Sequence, residues 1–339
     1  MCSMIRRFVH LIVHDVKGGA GGGGYALRNI DTKPLFAGIG GGSTSMAVTT
    51  RLPRPAAFFE SANTDNNNHT EFFLLGSKIV SVNMNRRTVL YDSLTSGISG
   101  GPDLRHCKFV HPAWAAIRGK LYITNMLPHN YGKPCLEALR FDDELEDWLW
   151  DLLPSPPFFD EPFRSDNTIQ CYAAGDEEKM WISTLGRGTY TFDAATATWC
   201  KEGDWTLPFE GRVQYIPEYG IYFGFSKRLN KLCSAEMIAG AKASEPPVHK
   251  QVWDNVDVYV GEGWHLAHSY LTYLGEGKFC VTRFYDTRRE WDDWCIPLSN
   301  VAVMSALEMR LDANTGELKM IRGASTRYKF PDAVHGWAL

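Results

Sequence analysis

His265 and His268, three residues apart in "WHLAHSY", are the pair whose type and spacing come nearest to metal-ligand chemistry. A spacing of three stacks two rings on one helical face, whereas on a strand, where side chains alternate, it sends them to opposite sides. No carboxylate or cysteine stands beside them at ligand spacing, so no metal is expected, and this pair is kept as the metal candidate. "DDELED" (142–147) offers paired carboxylates for general acid–base work, which needs a cleft to push two pKa values apart. A run of this polarity reads instead as a solvated hairpin tip. The glycine stretches "GGAGGGG" (18–24) and "GIGGGSTS" (38–45) invite a phosphate-cradle reading. Neither leads into a phosphate-loop lysine or joins a strand to a helix, so both read as flexible connections, as does the polar "SANTDNNNHT" (61–70). His106 and His111 flank a strand pattern and read as packing or turn residues. No catalytic residue and no cofactor or cofactor-binding residue is assigned.

The elements that would have to position any such residue recur along the chain. "GSKIVSVN", "RGKLYITN", "EEKMWIST", "EYGIYFGF" and "EGKFCVTR" each place a turn before an alternating apolar run, the period of a strand with one face in a core. Upstream of each lies another apolar run ("EFFLL", "AWAAI", "IQCYAA", "VQYI", "YLTYL"), so each unit opens with a β-hairpin. Downstream the phrase ends on an apolar residue and Asp: Tyr91-Asp92, Phe141-Asp142, Phe192-Asp193 and Leu311-Asp312. Trp148 and Trp199 follow two of these aspartates at the same distance and are read as filling the wedge between neighbouring units. "YALRNID", ending at Asp31, supplies a degenerate N-terminal copy, and the unit around Cys233 lacks the Asp. Lys78, Lys120, Lys179 and Lys278 share one position per unit and read as polar residues beside hairpin turns.

Second strands are thus expected near residues 8, 79, 121, 180, 221 and 279. A repeat of about 40 to 50 residues built of four short strands is the pattern of a β-propeller blade. The expected fold is all-β, one domain over residues 1–339, with six four-stranded kelch-like blades and the last split by "EWDDWCIPLSN". Loops at 16–24, 38–46 and 61–70 lie within it. Its ring is expected to be closed by N- and C-terminal strands, with the isolated run "LKMIRGASTRYKF" (318–330) completing the closing blade.

Basic and acidic residues number 35 and 39, a net charge of -4 without a long single-sign block, which argues against a nucleic-acid partner. No run is long and apolar enough for a transmembrane helix. "RRFVHLIVHDV" is interrupted by His10, His14 and Asp15 and lacks a small-residue cleavage site, so it is not read as a signal peptide. Eight scattered cysteines without a C-x-x-C pair suit reduced thiols, and the chain is placed in cytoplasm or nucleus.

The stretches "RRFVHLIV" (6–13), "YALRNID" (25–31), "VLYDSLT" (89–95), "RGTYTFDAATATW" (187–199), "DWTLPFEGRVQYIPEYGIYFGFS" (204–226) and "KFCVTRFYD" (278–286) carry a resemblance that spans nearly the whole chain. With them the sequence resembles a plant-specific family of uncharacterised proteins, expanded in cereals and related to kelch-type β-propellers. The resemblance implies a propeller-like fold and no established activity. The paired glycines that follow the second strand of kelch blades are replaced here by "ITNMLP" and "ISTLGRG", which sets aside a standard kelch function rather than the fold.

A rigid repeat scaffold with irregular loops and no coherent catalytic set reads as a non-enzymatic protein-interaction scaffold or adaptor. It is expected to be a monomer that binds another protein through loops on one face, and neither nucleic acid nor membrane. The alternative is an enzyme using the central funnel, a metal-dependent oxidase or hydrolase; a small-ligand or glycan receptor is a third class.

Overall fold

The alternating runs form strands, and the turn chemistry fixes where each begins. Arg118-Gly119 and Glu276-Gly277 have positive φ at both positions, the turn whose twist matches two antiparallel strands. Second strands accordingly start at Phe8, Lys78, Lys120, Lys179, Ile221 and Lys278, within one residue of the positions read from the sequence.

The computed structural model describes residues 6–15, 23–39, 47–60, 69–108, 111–127, 135–159, 165–175, 178–238, 245–256, 258, 260–287, 300–312, 314–330 and 336–339. The chain forms two compact units, one of residues 1–64 and 253–339, the other of residues 65–252. The first begins with β1 (Phe8–Asp15), β2 (Gly24–Asp31), β3 (Val48–Thr49) and β4 (Ala57–Glu60). The second carries β5 (Thr70–Leu75), β6 (Lys78–Asn83), β7 (Thr88–Asp92) and β8 (Ile98–Gly100), then β9 (Ala113–Ile117), β10 (Lys120–Thr124), β11 (Leu136–Asp142) and β12 (Asp147–Leu153). It continues with β13 (Ile169–Ala174), β14 (Lys179–Thr184), β15 (Thr189–Asp193) and β16 (Thr198–Gly203), then β17 (Phe209–Ile216), β18 (Ile221–Ser226), β19 (Leu232–Ala235) and β20 (His249–Trp253). The chain returns to the first unit with β21 (Trp264–Gly275), β22 (Lys278–Thr287), β23 (Asn300–Leu311), β24 (Leu318–Phe330) and β25 (Gly336–Ala338).

In the second unit β5–β8 and β9–β12 are separate four-stranded sheets. The runs β13–β16 and β17–β20 merge into one eight-stranded sheet because their first strands pair in parallel, Cys171 to Ala174 against Gly211 to Gln214. Burial follows the strand period: Cys171, Ala173, Trp181, Phe209, Val213 and Tyr222 share one core, closed by Leu207 and Met237. Gly175 belongs to it by necessity, since a Cβ there would stand 2.8 Å from Trp181 Nε1 and 2.9 Å from the Tyr222 hydroxyl.

In the first unit β21–β24 form a long-stranded antiparallel sheet that β3 extends, and a second sheet has the order β25-β1-β2-β4. Val9, Leu11 and Val13 of β1 bury against Ala302, Met304 and Ala306 of β23, every second residue of each strand. The run 318–330 is not isolated. It pairs with β23 almost end to end, and its strand pairing with the N-terminal part of the chain, among the described residues, is limited to the two residues of β3. The strand that partners β1 is β25 instead, with Leu11 opposite Ala338, Ile12 opposite Trp337 and Val13 opposite Gly336. His10 and Leu339 exchange both backbone hydrogen bonds at 3.0 Å, and Arg6 Nη2 donates to the Leu339 carbonyl at 3.1 Å. Sequence pattern missed β25 because three residues carry no period. The insertion within "EWDDWCIPLSN" and most of the three glycine-rich or polar loops lie outside the described residues.

Trp337 is 3% exposed and packs edge-to-face on Tyr25 at 5.6 Å. Trp337→Ala is expected to cost about 3–5 kcal/mol of unfolding free energy, measured by urea titration; a loss below about 1 kcal/mol would mean that β25 adds little to the packing of its sheet.

Candidate functional site

The aspartates that close the repeat phrase are turn locks. A carboxylate that ends a third strand can accept the amides of the residues two and three further on, which no strand pairing reaches. Asp193 Oδ1 accepts from the amides of Ala195 at 2.9 Å and Thr196 at 3.0 Å, and Asp312 Oδ1 from those of Asn314 and Thr315. Asp142 accepts from Glu144 and Leu145, Asp92 from Leu94, and Asp31 from Lys33. Four residues after each of Asp92, Asp142, Asp193 and Asp312 the backbone turns left-handed, at Ser96, Glu146, Ala197 and Gly316. The unit near Cys233, without Asp, shows no such lock among the described residues.

Two of the repeated lysines stand beside these aspartates, and a third beside its own hairpin turn. Lys78 Nζ lies 2.7 Å from Asp92 Oδ2, Lys179 stands opposite Asp193 in register, and Lys278 lies 3.4 Å from Glu276. Lys78 and two turn amides hold the Asp92 carboxyl down at about 2, and Lys319 does the same for Asp312. Arg140 holds Asp142 below the usual carboxylate range while also meeting Asp151 at 2.6 Å, so the first carboxylate of "DDELED" is structural. Of the apolar residues that precede these aspartates, Tyr91 and Phe192 are buried and Phe141 and Leu311 exposed. Trp148 packs on Phe141 and Trp199 on Phe192 across their hairpins, at 5.4 and 5.1 Å. Trp199 Nε1 donates to the Pro154 carbonyl at 2.8 Å and Trp150 Nε1 to Thr88 Oγ1 at 3.1 Å, each tying one meander to the preceding one.

One buried polar cluster lies at the starts of first strands of the second unit. Glu71 on β5 is only 5% exposed. Its Oε1 is 2.6 Å from His69 Nε2 and accepts from the His111 amide at 2.6 Å, with His111 Nδ1 at 3.8 Å. The two imidazoles meet edge-on at 6.0 Å. Burial pushes the His111 imidazole down, Glu71 opposing it. On the next first strands the Arg212 guanidinium lies 3.9 Å over the Trp114 ring, and Tyr172 stands beside Arg212 in register, its hydroxyl pushed up by burial. A carboxylate between two imidazoles can hold or pass a proton, and here it also pins the chain entering β9. The sequence reads His111 as a packing or turn residue, and its backbone is left-handed, with a φ of 55°. Sequence reading missed Glu71, although His69 and Glu71, two apart at a strand start, share a face.

A second buried carboxylate, Glu137 on β11, is 0% exposed. It takes Lys108 Nζ at 2.5 Å and the amides of Arg105 at 2.7 Å and His106 at 3.0 Å. His106 therefore sits in a segment anchored from beneath.

His265 and His268 fall on β21, where an odd spacing was expected to part them. A bulge between Leu266 and His268 undoes this: His265 lies opposite Asp286 and His268 opposite Phe284, two positions of β22 that share a face. Among the described residues no three His, Cys, Asp or Glu side chains gather as metal ligands. The described cysteines are unpaired, and burial pushes the thiols of Cys171, Cys233 and Cys280 up to about 12. No helix among the described residues is long and apolar enough to cross a membrane.

Two outcomes follow from the turn locks. Ala197 holds a left-handed conformation that costs a side-chain-bearing residue about 1 kcal/mol, so Ala197→Gly is expected to raise unfolding free energy by about that amount in urea titration. An unchanged or lowered value would place the turn's strain elsewhere. The turn carboxylates have folded pKa values below their unfolded value of about 3.9. They add stability above about pH 4 and lose it as pH falls toward 2. Asp92→Asn should flatten that acid limb relative to the parent, whereas an identical slope would show that Asp92 contributes nothing to it.

Solved structures similar to this chain include a putative 6-phosphogluconolactonase from Bacteroides fragilis, with 10% identity, 98% of both chains covered and a TM-score of 0.44. The beta-propeller domain of Myceliophteria thermophila Cps50 (Swd1) aligns at 10% identity over 94% of this chain and 85% of that one, with a TM-score of 0.40. An auxiliary nutrient binding protein from Bacteroides ovatus aligns at 9% identity over 85% and 69%, with a TM-score of 0.44. No curated protein matches the chain. The family model that matches spans residues 6–328, and the chain belongs to the family described as protein of unknown function (DUF1668).

Proposed function

We propose that the chain is a non-enzymatic protein-interaction scaffold of kelch-like propeller type. In this reading it is one domain of six four-stranded blades, the ring closed where β25 pairs with β1, acting as a monomer in the cytoplasm or nucleus of a plant cell. The meanders, the parallel pairing of β13 with β17 and the partnership of β25 with β1 support the architecture. The observation that carries the function is at the hairpin tips. Asp92 and Asp142 lock the ends of successive third strands, and the rigid turns hold Leu94 and Leu145 out in water at 82% and 64% exposure. A large apolar side chain on a preorganised backbone loses little freedom when a partner covers it, which is how binding anchors work. The partner is another protein.

Leu94→Asp with Leu145→Asp tests this. Both residues are exposed, so the melting curve should move by no more than about 0.5 kcal/mol. Affinity capture from plant cells, read by quantitative mass spectrometry, should lose partners that the parent retains by about tenfold or more. Identical partner sets would remove the tips as the binding surface. A second reading, proton transfer at the first strands, is favoured by Glu71 between His69 and His111; it would be the reading left standing if the double variant captured the parent's partners and Glu71→Gln abolished turnover of a substrate.

A further inference from the structure

Among the described residues β12 is the outer strand of its sheet and pairs with β11 alone, so its other edge presents unpaired backbone groups. That edge borders a groove of about 780 Å³ between the meander β5–β8 and the meander β9–β12. Leu149 and the exposed Leu152 line it, with the buried Leu104 and Trp150 and with Arg86 and Arg105.

The charges do not cancel within the groove. Asp103 is taken by Arg87 at 3.2 Å and Asp151 by Arg140 at 2.6 Å. Arg86 Nη1 donates to the Arg105 carbonyl at 3.2 Å, a neutral acceptor, and neither Arg86 nor Arg105 has a carboxylate partner among the described residues. Their positions are set in advance. The Leu104 amide donates to the Arg86 carbonyl at 2.9 Å, and buried Glu137 holds the amides of Arg105 and His106 from below. Two arginines on anchored backbone beside an open strand edge that carries an exposed leucine match one chemistry: an extended chain with carboxylates on one face and aliphatic side chains on the other.

We propose that an acidic extended segment of a partner protein docks in this groove, its backbone adding to the outer edge of β12 and its carboxylates pairing with Arg86 and Arg105. The site is separate from the hairpin tips, so either can fail without the other. In the test, a fluorescein-labelled peptide alternating glutamate with valine is titrated with the full-length protein and followed by anisotropy. It should bind, more weakly as salt rises, while the lysine–valine peptide does not. Arg86→Asn with Arg105→Ser should weaken binding by about tenfold or more, at an unchanged circular dichroism spectrum. On the unaltered protein, methylating alternate backbone nitrogens of the acidic peptide should weaken it by a similar factor. Absence of binding, equal binding of the lysine peptide, indifference to the arginine substitutions, or indifference to methylation would each overturn the proposal, whatever the capture experiment shows.

Discussion

Strands satisfy their amides by pairing, but the chain reversing between a third and a fourth strand cannot, and an aspartate at the strand end does it instead. Asp31, Asp92, Asp142, Asp193 and Asp312 each accept a backbone amide two residues on, and all but Asp31 also draw on the amide of the next residue. At all of them but Asp31 the lock fixes the length of the turn, with the left-handed residue four places later. Turn length sets register, which puts Trp148 across from Phe141 and Trp199 across from Phe192. Register in turn aims the Trp199 indole at Pro154 of the preceding meander. The repeated phrase is therefore a device of assembly: the aspartate that closes each phrase is engaged with its own backbone.

Two buried carboxylates do for the connections what the aspartates do for the tips. Glu71 holds the His111 amide at the entry to β9, and Glu137 holds those of Arg105 and His106 together with the Lys108 ammonium. Burying a charge is costly unless its lone pairs are filled. Both sites fill them with amides of irregular chain, which converts a desolvation cost into a defined path between meanders. That path carries Arg105 into the groove that Arg86 and β12 also line, just as the locked tips carry Leu94 and Leu145 into water.

The part of this that sequence revealed is the part encoded locally. Period-two runs and Gly-bearing turns placed second strands within one residue, and the recurring Asp marked four hairpins and a degenerate fifth. What escaped depended on partners far away in the chain. The three residues of β25 gain their strand character only against β1, more than 320 residues earlier. Glu71 and Glu137 look like ordinary surface acids until His111 and Lys108 arrive from other segments. The bulge in β21 has no signature in "WHLAHSY", so the odd spacing of His265 and His268 pointed to opposite faces when the register gives one.

The turn lock is tested most directly by native-state amide hydrogen exchange, read by NMR. Leu94, Leu145, Ala195, Thr196, Asn314 and Thr315 lie on solvent-exposed turns, where an amide without an acceptor exchanges at the rate of an unstructured peptide. The account predicts protection at these amides, and its loss at Ala195 and Thr196 alone when Asp193 is replaced by alanine. Free exchange at these positions in the parent protein would contradict it.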